Sequence, residues 1–161
     1  MIIPSKEGVI FMSNNFYYIM SKDIGVGPEL IGKLERLSKD DYQFRYLFGN
    51  KDKFPNIIVH IPDMDDTQKI YNTQETWYGI MRRVVPTKGS RVCGMIFKQH
   101  GLDLNKYNPW DYLDYLYQFY SNLASKSHLR TPLHDGYERI YFYKEIPKKV
   151  IRYDEYKELI L

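Results

Sequence analysis

Asn108-Pro-Trp-Asp-Tyr-Leu-Asp-Tyr-Leu-Tyr-Gln-Phe-Tyr-Ser-Asn-Leu-Ala-Ser125 is the stretch on which the fold turns. Asn108 is a strong N-cap type, Pro109 falls where a missing N–H costs nothing, and Asp111 sets a negative charge against the free amides of the first turn. At about 100° per residue, Trp110, Tyr112, Leu113, Leu116, Tyr117, Phe119, Tyr120, Leu123 and Ala124 share one arc of roughly half the circumference. Asp111, Asp114, Gln118, Ser121, Asn122 and Ser125 take the other half, with Tyr115 at the border. An arc this wide needs packing partners on more than one side. The stretch therefore predicts a central amphipathic helix, 108–125, with the other elements laid over it.

Working outward, Tyr137 to Lys144 alternates Ile140 and Phe142 against Tyr141 and Tyr143 and predicts a strand, and Arg91 to Lys98 is a short apolar run that predicts a buried strand. Between Thr67 and Val85, the spacing of Ile70, Trp77, Met81 and Val84 predicts a helix capped by one of the preceding aspartates and ending in Arg82-Arg83 before Pro86. Gln43–Phe48 and Asn56–Ile61 have strand character. Leu30, Ile31, Leu34 and Leu37 follow Pro28 at i, i+1, i+4, i+7 and predict a short helix, with Gly25-Val-Gly27 as its entry turn. Gly8–Met12 and Phe16–Met20, joined by Ser13-Asn-Asn15, predict a β-hairpin. Lys148–Tyr153 reads as a last strand and Asp154–Leu161 as a helical end. The sum is an α+β fold, with a mixed or antiparallel sheet built from hairpins and two further helices around the central one.

A chain of 161 residues fits a single globular domain, 1–161, with a core that needs no disulfide or metal staple. The lone Cys93 excludes an intramolecular disulfide and reads as a packed thiol. No apolar run approaches the roughly 20 residues of a membrane span, so the expectation is a soluble, cytoplasmic protein. Sixteen tyrosines and a single alanine, Ala124, fit AT-rich codon usage, as in viruses and mobile elements. Tyrosine also favours binding surfaces, because it buries area at little entropic cost and keeps a polar tip.

The net charge of +3 is too small to define a partner, and its distribution says more. From Thr76 to Leu102 there is no acidic residue, while Arg82, Arg83, Lys88, Arg91, Lys98 and His100 fall inside the window. Arg82, Arg83, Lys88 and Arg91 surround one turn, and Tyr78 stands near enough to stack on a base. This group is the candidate site for a nucleic acid or an acidic protein surface.

Two other constellations carry chemistry. His134, with Arg130, Glu138 and Arg139, could act on a phosphodiester, the histidine moving a proton while an arginine holds the phosphate. His60 with Asp63, Asp65 and Asp66 offers one imidazole and several carboxylates to a hard divalent ion, Mg²⁺ or Mn²⁺, although the spacing matches no fixed metal motif. Nucleophile-elbow and two-histidine phosphoesterase patterns are absent from the chain. The sequence thus favours a small intracellular binding protein, a viral or mobile-element accessory, that contacts nucleic acid or a nucleic-acid-handling protein. Its rivals are a small nuclease or phosphodiesterase, and a structural subunit of a larger assembly or homo-oligomer.

Overall fold

Five antiparallel strands form one sheet, and three helices share its core, an α+β arrangement. The computed structural model describes residues 2–4, 10–12, 15–21, 29–47, 61, 63–126, 133–135 and 140–145; of 2–4, 10–12 and 123–126 it describes the backbone. Strands β1 (Ile2–Pro4) and β2 (Ile10–Met12) form a separate two-stranded ladder. The sheet comprises β3 (Phe16–Ser21), β4 (Glu29–Ser38), β5 (Asp41–Tyr46), β6 (Ile70–Tyr71) and β7 (Ile140–Tyr143), in the order β6-β5-β4-β3-β7. The expected hairpin between 8–12 and 16–20 is corrected by this order, since β2 pairs with β1 while β3 lies between β4 and β7. Tyr17, Tyr18, Ile19 and Met20 are all buried, so β3 is covered on both faces and takes a partner on each edge.

The helix expected after Pro28 is instead β4. Ile19 pairs with Gly32 and Met20 with Leu30, which leaves Ile31 as an extra residue, a β-bulge. The bulge offsets the two-residue alternation, so Ile31 and Leu34 enter the same core cluster although they are three apart. That is how a strand came to imitate the i, i+3 spacing of a helix. Leu37 sits at a second irregularity, between Arg36 and Ser38, and is exposed. On the main core face, Tyr17, Leu34 and Phe44 lie side by side across three strands. Strands β5 and β7 agree with the sequence, with Ile140 and Phe142 in this cluster and Tyr141 in a smaller one on the opposite side.

The long helix expected from Thr67 to Val85 is broken into shorter pieces. Ile70 and Tyr71 pair with Arg45 and Phe44 as β6, and helix α1 (Thr73–Gly79) starts afresh with a capping box. Asn72 Oδ1 accepts the Glu75 amide at 3.0 Å, and Glu75 Oε1 accepts the Asn72 amide at 3.2 Å. None of the preceding aspartates caps it; Asp66 Oδ1 instead accepts the Gln68 amide in a turn. After α1, Ile80 (φ −119°) starts a 3-10 turn, Met81–Arg83.

The strand expected at 91–98 is helix α2 (Arg91–His100). Ser90 Oγ accepts the Cys93 amide at 3.1 Å, and Gly101 at φ 67° closes the last turn with the left-handed geometry glycine favours. Cys93 and Phe97, four apart, are buried on its inner side. The packed-thiol reading of Cys93 holds; the strand around it does not.

Helix α3 (Pro109–Lys126) is the element the sequence announces. Asn108 Oδ1 accepts the amides of Trp110 and Asp111, while its Nδ2 donates to Lys39 O and Asp40 Oδ1, both at 3.2 Å. One side chain thus caps the helix and bolts it to the β4–β5 turn. Trp110, fully buried, stacks on Tyr42 with ring centres 5.7 Å apart and meets Tyr17 at a tilt. Tyr112, Leu113 and Leu116 complete the buried stripe, each worth about 1.5–3 kcal/mol on full burial. Trp110→Ala would cost about 3–5 kcal/mol. The polar half is not idle either, for Asp114 accepts the Tyr17 hydroxyl and lies 3.4 Å from Lys144 Nζ, tying α3 to β3 and to the end of β7. No helix among the described residues is long and apolar enough to cross a membrane.

Candidate binding face and adjoining cleft

Consecutive residues of a 3-10 turn point about 120° apart, so Arg82 and Arg83 leave the turn in different directions. Arg83 turns inward. Its Nε donates to Gly79 O at 2.8 Å and its Nη1 to Asp135 Oδ2 at 3.2 Å, and Asp135 is only 1% exposed. Arg82 turns outward, its guanidinium carbon 5.1 Å from the centre of the Tyr78 ring, and both side chains are exposed. A cation over an aromatic face holds that pair together with about 0.5–1 kcal/mol at such a surface.

Across the Thr87–Ser90 turn, Lys88 is exposed, and Arg91 occupies the first turn of α2. A cation there opposes the helix dipole at a cost of about 0.3–1 kcal/mol, so helix stability does not explain it. With Arg91, the residues Val92, Met95, Lys98 and Gln99 make the exposed side of α2, and Val92 and Met95 are more than half exposed. His100 belongs to the packing, with Nδ1 2.6 Å from the Tyr115 hydroxyl and its ring edge-on to Phe119. Arg36, Arg45, Lys69, Arg83 and Lys144 are paired with carboxylates. Arg82, Lys88, Arg91 and Lys98 have no carboxylate partner among the described residues.

Beside Arg82 lies a cleft of about 330 Å³ between α1 and the 63–66 turn. Its floor comes from Met64 and Gly79: a Cβ on Gly79 would sit 2.0 Å from Met64 Sδ, so glycine at this place is what lets the methionine lie against the helix. The Tyr46 hydroxyl, buried, donates to Met64 O and fixes that turn from below. Asp63, Gln74, Glu75, Tyr78 and Arg82 form the walls. Asp63 has φ 60°, a left-handed conformation that aspartate tolerates better than most residues. The Glu75 carboxylate is already committed to the capping box and to Lys69 Nζ at 2.5 Å. Asp63 and Gln74 have no side-chain hydrogen bond to the described residues and face solvent.

The expected metal group is divided between described and other residues. Asp63, Asp65 and Asp66 are exposed, and His60 lies outside the described residues. Among the described residues no three His, Cys, Asp or Glu side chains come together in a way that could hold a metal ion. Of the expected catalytic quartet, Arg130, Glu138 and Arg139 lie outside the described residues. His134 pairs as an isolated bridge with Tyr141, and its Nδ1 meets the Asp135 carbonyl. A carbonyl only accepts, so Nδ1 carries the proton and Nε2 is the acceptor in the neutral ring. Its neighbour Asp135 is the more deeply engaged group: Oδ1 accepts the Ile140 amide while Oδ2 holds Arg83.

Compared with known proteins, the chain matches no family model, no curated sequence and no solved structure. Gln74 and Lys98 are the residues that sequence reasoning missed as members of the face and cleft. Lys98 was hidden by the strand reading of 91–98, because on a helix it stands seven residues, about two turns, from Arg91 and on the same side.

Proposed function

We propose that this is an intracellular, cytoplasmic binding protein that holds a nucleic acid strand along the outward cations of the Tyr78–Lys98 segment. The observation that carries the reading is that Arg82, Lys88, Arg91 and Lys98 stay exposed and have no carboxylate partner among the described residues, while Arg83, from the same window, is drawn into the fold. Exposed cations gathered on one surface give phosphates an attractive field, and each contact releases a condensed counterion. The Tyr78 ring beside Arg82 supplies a stacking platform, which every base can use.

An acidic protein surface is the second reading, and the exposure of Val92 and Met95 beside Arg91 and Lys98 favours it, since apolar side chains add contact area to a protein partner. Fluorescence anisotropy with a labelled single-stranded oligonucleotide tests the first reading. Charge reversal at Lys88, Arg91 and Lys98 abolishes binding, while the same change at Lys39 and Lys106, exposed cations outside the window, leaves it within about twofold. Wild-type protein that ignores oligonucleotides at low salt overturns the nucleic-acid reading.

A further inference from the structure

We infer that the cleft between the 63–66 turn and α1 is a pocket for a single unstacked nucleobase bearing an exocyclic amino group, with its phosphate directed to Arg82. The inference rests on the nucleic-acid reading above and says which part of the strand is read. At about 330 Å³ the cleft falls at the small end of the roughly 300–1,000 Å³ range of ligand sites, the size for a small planar group. Its chemistry is divided. Arg82 stands on one side over Tyr78, while Asp63 and Gln74 bring a carboxylate and a carboxamide without partners in the described fold.

Each component matches one part of a nucleotide. The Tyr78 ring and the guanidinium plane offer flat faces for stacking, and a guanidinium pairs with phosphate oxygens. A carboxamide can give one hydrogen bond and take another from the adjoining ring nitrogen and amino group of a base, and a carboxylate accepts from an amino group but repels a carbonyl edge. Uracil and thymine present a carbonyl where cytosine presents its amino group, so Asp63 disfavours them. The floor of Met64 against Gly79 is apolar and polarizable, suited to the face or edge of a ring. A simple divalent cation fits this cleft poorly, because Arg82 would repel it and the Glu75 carboxylate is already held by Lys69 and the Asn72 amide.

The test is an NMR titration of the full ¹⁵N-labelled chain with AMP, CMP, UMP and ribose 5-phosphate. AMP and CMP are expected to shift the amides of Asp63, Gln74, Tyr78 and Arg82, with UMP and ribose 5-phosphate at least about tenfold weaker. Tyr78→Ala and Gln74→Ala, both at exposed positions, each weaken AMP by about fivefold or more while leaving the rest of the spectrum in place. Equal shifts from all four compounds, no shift at the cleft, or AMP binding indifferent to both variants overturns the inference. Lys88→Glu/Arg91→Glu keeps the two levels apart. Oligonucleotide binding lost in that variant with AMP binding retained supports both. Oligonucleotide binding by the wild type without AMP binding at the cleft sinks the pocket alone, and AMP binding without any oligonucleotide binding sinks the strand-binding function alone.

Discussion

Arg83 Nη1 lies 3.2 Å from Asp135 Oδ2, joining the 3-10 turn after α1 to the segment that leads into β7. The two ends are unequally buried: the Arg83 side chain is 21% exposed and that of Asp135 1%. Asp135 also accepts the Ile140 amide and donates its own amide to Ile140 O at 3.0 Å, so it organises the start of β7. Losing the arginine leaves a buried carboxylate without its cation, whereas losing the carboxylate charge leaves an arginine that water can reach.

The two single variants should therefore differ. Arg83→Met is expected to cost about 3–5 kcal/mol. Asp135→Asn, which keeps an acceptor for the Ile140 amide, is expected to cost about 1–3 kcal/mol. Urea unfolding of both variants and of the double variant measures the cycle, and additive costs would contradict direct coupling.

Three glycines should respond to alanine in three ways. At Gly32 a Cβ would lie 2.4 Å from Phe44 Cζ and 2.8 Å from Arg45 O, so backbone as well as side chain resists it, and about 3 kcal/mol of stability is lost. At Gly79 the obstacle is the flexible end of Met64; the loss is smaller, about 1–2 kcal/mol, and the displaced methionine disturbs the cleft floor. At Gly94, inside α2, nothing lies within 4 Å and the helix gains about 0.5–1 kcal/mol. Thermal melts rank the three, and a destabilised Gly94→Ala would contradict the helical account of 91–100.

Alkaline pH should unfold the protein through its phenols. Burial first, and Cys93 next, pushes Tyr107 and Tyr112 up to about 12, from 10.0 when free. Burial likewise raises Tyr17, Tyr42, Tyr46, Tyr71 and Tyr143. A group whose folded value is raised gives stability that is complete below its unfolded value, here pH 10, and is lost as pH climbs through the folded value. Lys144 runs the other way: burial lowers it below 10.5 against the opposing pull of Asp114, so its contribution improves as pH rises toward 10.5. One lysine opposes several tyrosines, and the urea midpoint should hold up to about pH 10 and drop between about pH 10 and 12. A burst of phenolate absorbance should accompany unfolding at pH 11. Full phenolate titration near pH 10 in the folded protein would contradict the packing of these rings.

Helix α3 was legible because every cue agreed: cap, proline, first-turn acid and a long amphipathic arc. β7 was legible from clean alternation. β4 was not, because the bulge at Ile31 gave a buried strand a helix-like spacing. Nor was α2, whose ten residues are too few for periodicity to separate helix from strand, although Ser90 before it and Gly101 after it were readable caps. The basic window could be read from composition, but the split between Arg82 and Arg83 could not, since it depends on a 3-10 turn and on a carboxylate more than fifty positions away. The cleft brings Asp63 against Tyr78 and Arg82 through the Met64–Gly79 contact, which no local pattern announces.

The most direct measurement of the central claim is the salt dependence of oligonucleotide affinity for wild type and for Lys88→Gln/Arg91→Gln/Lys98→Gln. If these cations contact phosphates, log K falls linearly with log salt, and removing three of them flattens the slope by about 2, at about 0.7 per contact on a single strand. A slope unchanged by the triple substitution, or a wild-type affinity indifferent to salt, would contradict it.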